Sequence, residues 1–183
     1  MRIFIFTIAI ALLAACSPKG AEHKSEQCAQ CQKHHSATAP TNHAEYCSPN
    51  AEAQQEVFNY IMEKGVFYIA TADCDQPRVR PFGALHIFEG KMYIITGHSK
   101  RIAQQLAKNP KVELCAQSNN EWIRVTATMV EDERIEAKKA VLDAFPNLRS
   151  MYNENDDNIA VYYFTNATAT LSSFAGDEKT LNF

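Results

Sequence analysis

The chain has 183 residues, 46% of them hydrophobic and 21% charged, close enough to the globular average to exclude a largely disordered protein. This length accommodates one sizeable core with short appendages and no second large domain. A formal charge of −3, from 18 Lys and Arg against 21 Asp and Glu, supplies no basic field for a polyanion, so no nucleic acid is expected as a partner. Six Cys are too few for a disulfide scaffold and more than packing needs, which makes their positions informative.

The first residues read as an export signal. Met1 and Arg2 form a short basic start, and the apolar run Ile3 to Leu13 falls short of the ~20 residues of a spanning helix but suits a signal-peptide core. It ends in Leu13-Ala14-Ala15-Cys16, which resembles a bacterial lipobox, where Cys16 would be acylated and become the first mature residue. An ordinary secretory signal is the alternative, and either one exports the chain. Ser17 after the Cys favours, by the same resemblance, a lipoprotein of the outer membrane facing the periplasm. The expected organisation is a lipoprotein signal peptide at 1–15, a Cys- and His-containing tether at 16–50 and a folded domain at 51–183.

The tether lacks hydrophobic periodicity and is rich in Ser, Ala, Gln, Lys, His and Pro, so it has little to offset the entropy of ordering. Cys28, Cys31, His34, His35, His43 and Cys47 nevertheless cluster in it, with spacing that a tetrahedral soft metal ion can use. A disulfide among the three thiols competes with that reading in an exported protein, and free thiols are the third outcome. Gln32 after Cys31 excludes the Cys-x-x-Cys-His pattern of covalent haem attachment.

The domain opens on a predicted helix capped by Ser48, with Pro49 in its first turn, Val57, Phe58, Ile61 and Met62 on one face and Gly65 as its stop. Strands follow at Val66–Asp73, after a Cys74-Asp75-Gln76-Pro77 turn at Arg78–Glu89, and after Gly90 at Lys91–Thr96, arranged as a meander. Ser99 caps a short helix to about Lys108, which Asn109-Pro110 ends before strands at Val112–Ser118 and Trp122–Val130. Asp132–Phe145 carries helical spacing at Ile135, Val141 and Leu142; Ile159–Thr165 and Ala167–Ser173 read as a closing hairpin. Six or more strands with few helices predict a mainly β protein, a small antiparallel barrel with flanking helices, because closure removes exposed edges. Phe67, Ile69, Ile94, Ile95 and Val125 form the expected core stripe, with Cys115 in the core and Cys74 a surface thiol.

An electrostatic anomaly marks the expected site. Lys100 and Arg101 occupy the first turn of the helix after Ser99, where the macrodipole disfavours cations by ~0.3–1 kcal/mol each. A helix start with free N–H groups, a hydroxyl and two cations is built like a phosphate cradle. Arg80 adds a charge within the alternating strand Arg78-Val79-Arg80-Pro81-Phe82, and Pro81 places that strand at an edge or a bulge. The alternative is a solvated basic turn beside an edge strand.

From about Glu56 to Phe183 the sequence resembles the pyridoxamine 5'-phosphate oxidase-like FMN-binding split barrels, in particular the branch of the nitroimidazole-resistance (Nim) proteins. The resemblance is carried by Gly65-Val66-Phe67-Tyr68-Ile69-Ala70-Thr71, Gln76-Pro77-Arg78-Val79-Arg80-Pro81-Phe82-Gly83, and Tyr93-Ile94-Ile95-Thr96 running into Ser99-Lys100-Arg101. Asn109-Pro110-Lys111-Val112, Trp122-Ile123-Arg124-Val125-Thr126 and Ser173-Phe174-Ala175-Gly176 complete it. It implies a homodimer with FMN at the subunit interface, held by the strand with Arg80 to Gly83 and the loop from Thr96 to Arg101. The stretch Phe174–Phe183 lacks the substrate-binding His and Arg of true pyridoxamine phosphate oxidases, which argues against vitamin B6 oxidation.

On that basis Arg80, Lys100 and Arg101 are expected to neutralise the FMN phosphate with Ser99 donating, while Pro81, Phe82, Gly83 and Thr96 line the cofactor. Gly83 is expected to permit close backbone approach. Trp122 either walls the flavin or serves as a core or dimer-contact aromatic. His98 is the catalytic candidate, for FMN contact or proton transfer, and His86 reads as structural. The expected function is an FMN-dependent oxidoreductase of the cell envelope acting on a small molecule or a redox partner. Haem binding or degradation and a non-catalytic flavin or electron-carrier lipoprotein are the alternatives; the membrane is expected to be met through the lipid anchor only.

Overall fold

The computed structural model describes residues 50–183. The signal peptide, Cys16, the tether with Cys28, Cys31, His34, His35, His43 and Cys47, and the expected Ser48 cap and Pro49 all lie outside the described residues. The first helix, α1 (Ala51–Lys64), takes Asn50 as its N-cap, so it begins after Pro49 and not on it. Val57 and Ile61 of α1 are fully buried, each worth ~1.5–3 kcal/mol of apolar transfer. Gly65 ends the helix at φ 74, with its N–H donated to the Met62 carbonyl at 3.1 Å.

The strands are β1 (Phe67–Asp73), β2 (Gln76–Phe82), β3 (His86–Phe88), β4 (Lys91–Gly97), β5 (Lys111–Ser118), β6 (Glu121–Glu131), β7 (Ile159–Ser173) and β8 (Glu178–Asn182). Between them lie α2 (Arg101–Lys108), α3 (Ile135–Ala144) and a 3₁₀ turn (Pro146–Ser150). Asp73 pairs with Gln76, so the first turn is tighter than the sequence predicts, and Cys74 takes a positive φ of 59. Glu89 and Gly90 both have positive φ, 48 and 71, the geometry of a two-residue hairpin turn that matches strand twist.

All pairings are antiparallel, in the order β2-β1-β5-β6-β7-β4-β3, with β8 on β7. The predicted meander is therefore broken, because β2 and β3 sit at opposite ends of that path. Yet only Gly83, Ala84 and Leu85 separate them, a link that spans ~15 Å at most. The sheet has to curl until its two ends nearly meet, which gives a barrel with a split between β2 and β3. β2 pairs only with β1, so Pro81 lies on an end strand as its missing N–H requires.

The predicted closing hairpin is one continuous strand. Ala127 of β6 faces two residues of β7, Asn166 and Ala167, and Asn166 adopts φ 51. This is a β-bulge, which uses the left-handed conformation that Asn also favours in turns. The hairpin is supplied by β8, which pairs back onto β7 from Thr168 to Ser172.

Two apolar clusters replace the single stripe. Phe67, Ile69, Ile94 and Val125 belong to the barrel core with α1, whereas Ile95 and Tyr93 face the other way and pack with Val141 and Leu142 of α3. Strand β4 is thereby buried on both faces from Met92 to Gly97. Ile135, expected on the buried face of α3, is exposed, because α3 begins there and buries Ala137, Val141 and Leu142. Cys115 is not a core residue: Leu114 and Ala116 point inward, and Cys115 faces outward beside Tyr68 and Arg124. Among the described residues no helix is long and apolar enough to cross a membrane.

Candidate functional site

A cleft of about 400 Å³ opens at the split in the barrel, within the range of small-ligand sites. One side comes from the end of β2 and its link to β3, with Arg80, Pro81, Phe82, Gly83 and Ala84. Ile95 and Thr96 of β4, then Lys100 and Ile102, form the floor and one end. The opposite wall is the segment after α3: Phe145, Asn147, Leu148, Met151 and Tyr152. Among the described residues the lining contains two cations and no carboxylate, and most of the rest is apolar or aromatic.

Of the residues singled out in the sequence, Arg80, Pro81, Phe82, Gly83, Thr96 and Lys100 come together here. A Cβ on Gly83 would make only an ordinary contact within the chain, 3.5 Å to the Gly65 carbonyl oxygen, so the protein's own packing does not demand glycine there. Ser99 does not cap α2. Lys100 is the N-cap residue, in an extended conformation, and the Ser99 N–H is donated to Asn158 Oδ1 at 3.0 Å. Arg101 lies off the cleft and is paired with Asp73 at 2.9 Å. Lys100 is held at the cleft with Nζ 5.4 Å from the centre of the Tyr152 ring, within cation–π range.

Trp122 is also away from the cleft, packed on Phe174 with ring centres 5.2 Å apart. His98 is engaged elsewhere. Its Nδ1 lies 2.6 Å from the Asp157 carbonyl oxygen and its Nε2 2.5 Å from Glu131 Oε1. Both contacts favour the protonated ring. The Asp157 carbonyl first, then Glu131, raise its pKa. With both nitrogens engaged, the ring links the loop after β4 to Glu131 at the end of β6, and it does not line the cleft. His86 sits in β3, with its pKa lowered by burial. Among the described residues no cluster of three His, Cys, Asp or Glu side chains is placed to hold a metal ion.

Behind the cleft, Arg80 donates from Nη1 to Thr71 Oγ1 at 2.8 Å and from Nη2 to Gln105 Oε1 at 2.7 Å. The Thr71 hydroxyl donates in turn to Gln105 Oε1 at 2.7 Å. Burial, then the nearby Arg101 and Arg78, push the Arg80 pKa down, against the pull of Asp73. The surroundings are thus electropositive and partly desolvated. Neither Thr71 nor Gln105 stood out in the sequence. The available signal was a Gln on the buried face of α2, beside Ile102, Ala103 and Leu106. The Phe145–Tyr152 wall was missed too, although Phe145, Leu148, Met151 and Tyr152 form an apolar series around Pro146.

The family model described as pyridoxamine 5'-phosphate oxidase matches residues 52–170. The chain belongs to the pyridoxamine 5'-phosphate oxidase family. Within it the chain falls in the Nim-like branch, being 40% identical to a NimC/NimA family protein of Clostridium acetobutylicum, over 73% of this chain and 94% of that one, with a TM-score of 0.70. Two more distant structures share the fold. A protein from Clostridium acetobutylicum related to general stress protein 26 of Bacillus subtilis is 15% identical over 73% of this chain and 96% of that one, with a TM-score of 0.54. A heme binding protein from Mycobacterium smegmatis is 16% identical over 74% of this chain and 59% of that one, also with a TM-score of 0.54. No curated protein matches the chain. The split barrel described above is the fold of this pyridoxamine 5'-phosphate oxidase family.

Proposed function

We propose that the cleft binds FMN and that the protein is an FMN-dependent oxidoreductase of the cell envelope. The observation that carries this reading is a cleft holding Arg80 and Lys100 with no carboxylate among its lining residues. Such a lining suits a flat aromatic ligand with an anionic end. Arg80 and Lys100 would hold the phosphate, Arg through its planar fork and Lys as a point charge. Pro81, Phe82, Gly83 and Thr96 would flank the ring system, and Phe145, Leu148, Met151 and Tyr152 would exclude water on the other side. When bound, FMN supplies electron or hydride transfer, while the chain supplies binding and orientation.

Two features support a homodimer. Tyr68 and Val79, 50% and 64% exposed, share the outer face of the β1–β2 pair with Pro81, since Tyr68 pairs with Pro81 and Ala70 with Val79. Trp122 and Phe174 present a second aromatic surface that a partner's cleft could receive. The envelope location rests on Leu13-Ala14-Ala15-Cys16. Electrons would then come from a membrane or protein partner, because cytosolic nicotinamides are on the other side. For haem, the cleft offers no imidazole among the described residues, since neither His86 nor His98 lines it.

Purification of the full mature chain tests the reading. The expected result is a yellow protein that releases FMN on denaturation. A Soret band in place of flavin absorption would replace FMN with haem, and a colourless protein that takes up neither flavin would remove the cofactor from the cleft.

A further inference from the structure

We propose that Gln105 is a positioning and specificity-determining residue: through Thr71 it fixes the Arg80 guanidinium with neutral acceptors only, leaving its full charge for the phosphate of the bound ligand. The inference rests on the reading that the cleft takes FMN, and it concerns how this chain tells a phosphorylated flavin from an unphosphorylated one.

Gln105 and Thr71 are both 4% exposed, and together with Arg80 they form a closed ring of three hydrogen bonds at 2.7, 2.8 and 2.7 Å. The directions within it are fixed. Thr71 has one hydroxyl hydrogen and gives it to Gln105 Oε1, so it meets Arg80 Nη1 through a lone pair. Gln105 Oε1 accepts twice. The ring uses two of the five N–H donors of the guanidinium, which leaves three for a ligand.

The chemical type of the partners matters more than their number. Burying part of a cation against neutral groups is costly unless an anion completes the arrangement. The next cation along, Arg101, is already paired with Asp73, whereas the hydrogen-bond partners of Arg80 among the described residues, Thr71 and Gln105, carry no charge. A Glu at position 105 would accept the same two hydrogen bonds in nearly the same shape, yet it would cancel the charge that a phosphate needs. If the triad only stiffened the barrel, Glu would serve as well as Gln.

The test is titration of the flavin-stripped mature chain with FMN and with riboflavin, for the wild type, Gln105→Glu and Thr71→Val. The wild type should favour FMN. Gln105→Glu should weaken FMN about ten- to a hundredfold, the scale of one charge-assisted contact, and leave riboflavin within about threefold. Thr71→Val, close in shape and less disruptive to folding, should weaken FMN by about two- to tenfold with riboflavin again unchanged. Inorganic phosphate should compete with FMN in the wild type and fail to do so in Gln105→Glu. An unchanged preference for FMN in the folded variants, or a parallel loss for both flavins, overturns the inference and leaves the FMN reading intact. A wild type that binds both flavins equally overturns the FMN-phosphate reading itself.

Discussion

Asn158 Oδ1 accepts the backbone N–H of Ser99 at 3.0 Å. The same residue's carbonyl oxygen accepts the N–H of His98 at 2.7 Å, so one Asn at the start of β7 fixes the loop that delivers Lys100 to the cleft. A Cβ on Gly97 would stand 3.1 Å from Asn158 Nδ2 and 3.2 Å from Oδ1, which leaves no slack. Asn158→Ala and Gly97→Ala should each lower FMN affinity severalfold and destabilise the fold by about 1 kcal/mol, although neither residue lines the cleft. Flavin titration and urea unfolding measure the two effects.

The phosphate contacts should separate the three cations. Arg80→Ala and Lys100→Ala are each expected to weaken FMN about ten- to a hundredfold with little change for riboflavin. Arg101→Ala should weaken FMN by less than either, because Asp73 already holds that guanidinium. A larger loss from Arg101 than from Arg80 would move the phosphate toward the outer end of α2.

The Tyr93–Asp132–Arg134 cluster gives an acid-stability prediction. Asp132 accepts from Tyr93 Oη at 2.9 Å and from Arg134 Nε and Nη2 at 3.0 and 2.8 Å. The Arg134 hydrogen bonds chiefly, helped by the Arg134 N–H and Tyr93, hold its carboxyl down at about 2 against an ordinary 3.8. This stabilisation, about 2 kcal/mol, is complete above pH 4 and lost as pH falls through 2. Asp132→Asn should remove it at neutral pH and flatten the acid limb of the stability profile measured by urea unfolding.

His98 predicts the opposite slope. Its raised pKa means that the charged ring stabilises the fold fully below about 6.5 and that this contribution disappears as pH rises past the elevated value. The side chain is 44% exposed, so the effect should stay below about 1 kcal/mol. His98→Gln should make stability independent of pH in this window while turnover continues; abolished turnover with intact FMN binding would return His98 to a catalytic role.

The anchor is tested in cells. Cys16→Ser should leave an unprocessed precursor or release the mature chain from the membrane fraction, and unchanged association after detergent-free fractionation would refute lipidation.

Strands and helix stops were legible because they depend on local chemistry: alternation in β1 and β5, Gly65 at a positive φ, Asn109-Pro110 after α2. Arg80 and Lys100 were legible as charges out of place. What escaped depends on long-range placement. Asn166 signals a left-handed residue, but only the β6 partner decides between turn and bulge. Ile94 and Ile95 are equally apolar, and only α3 reveals that they serve different cores. The Ser99 cap failed because α2 begins only at Arg101, with Lys100 in the N-cap position, so the Ser99 hydroxyl lies one residue too early. Gln105 gave a local hint, a polar residue on an apolar helix face, but its partners lie on β1 and β2.

Strand β7 pairs with β4 from Ile159 to Tyr163, with β6 from Tyr162 to Ser173 and with β8 from Thr168 to Ser172. Strand β4, flanked by β3 and β7, therefore waits for a partner that follows two further strands and two helices in the chain. Until β7 is made, β3 and β4 form an isolated hairpin with buried-type residues on both faces, and the barrel cannot shut. Such non-local pairing delays folding to about the millisecond-to-second range. If the chain is exported unfolded, as proposed above, that delay would be an advantage, because β7, the last long strand to emerge, is also the one that completes the sheet.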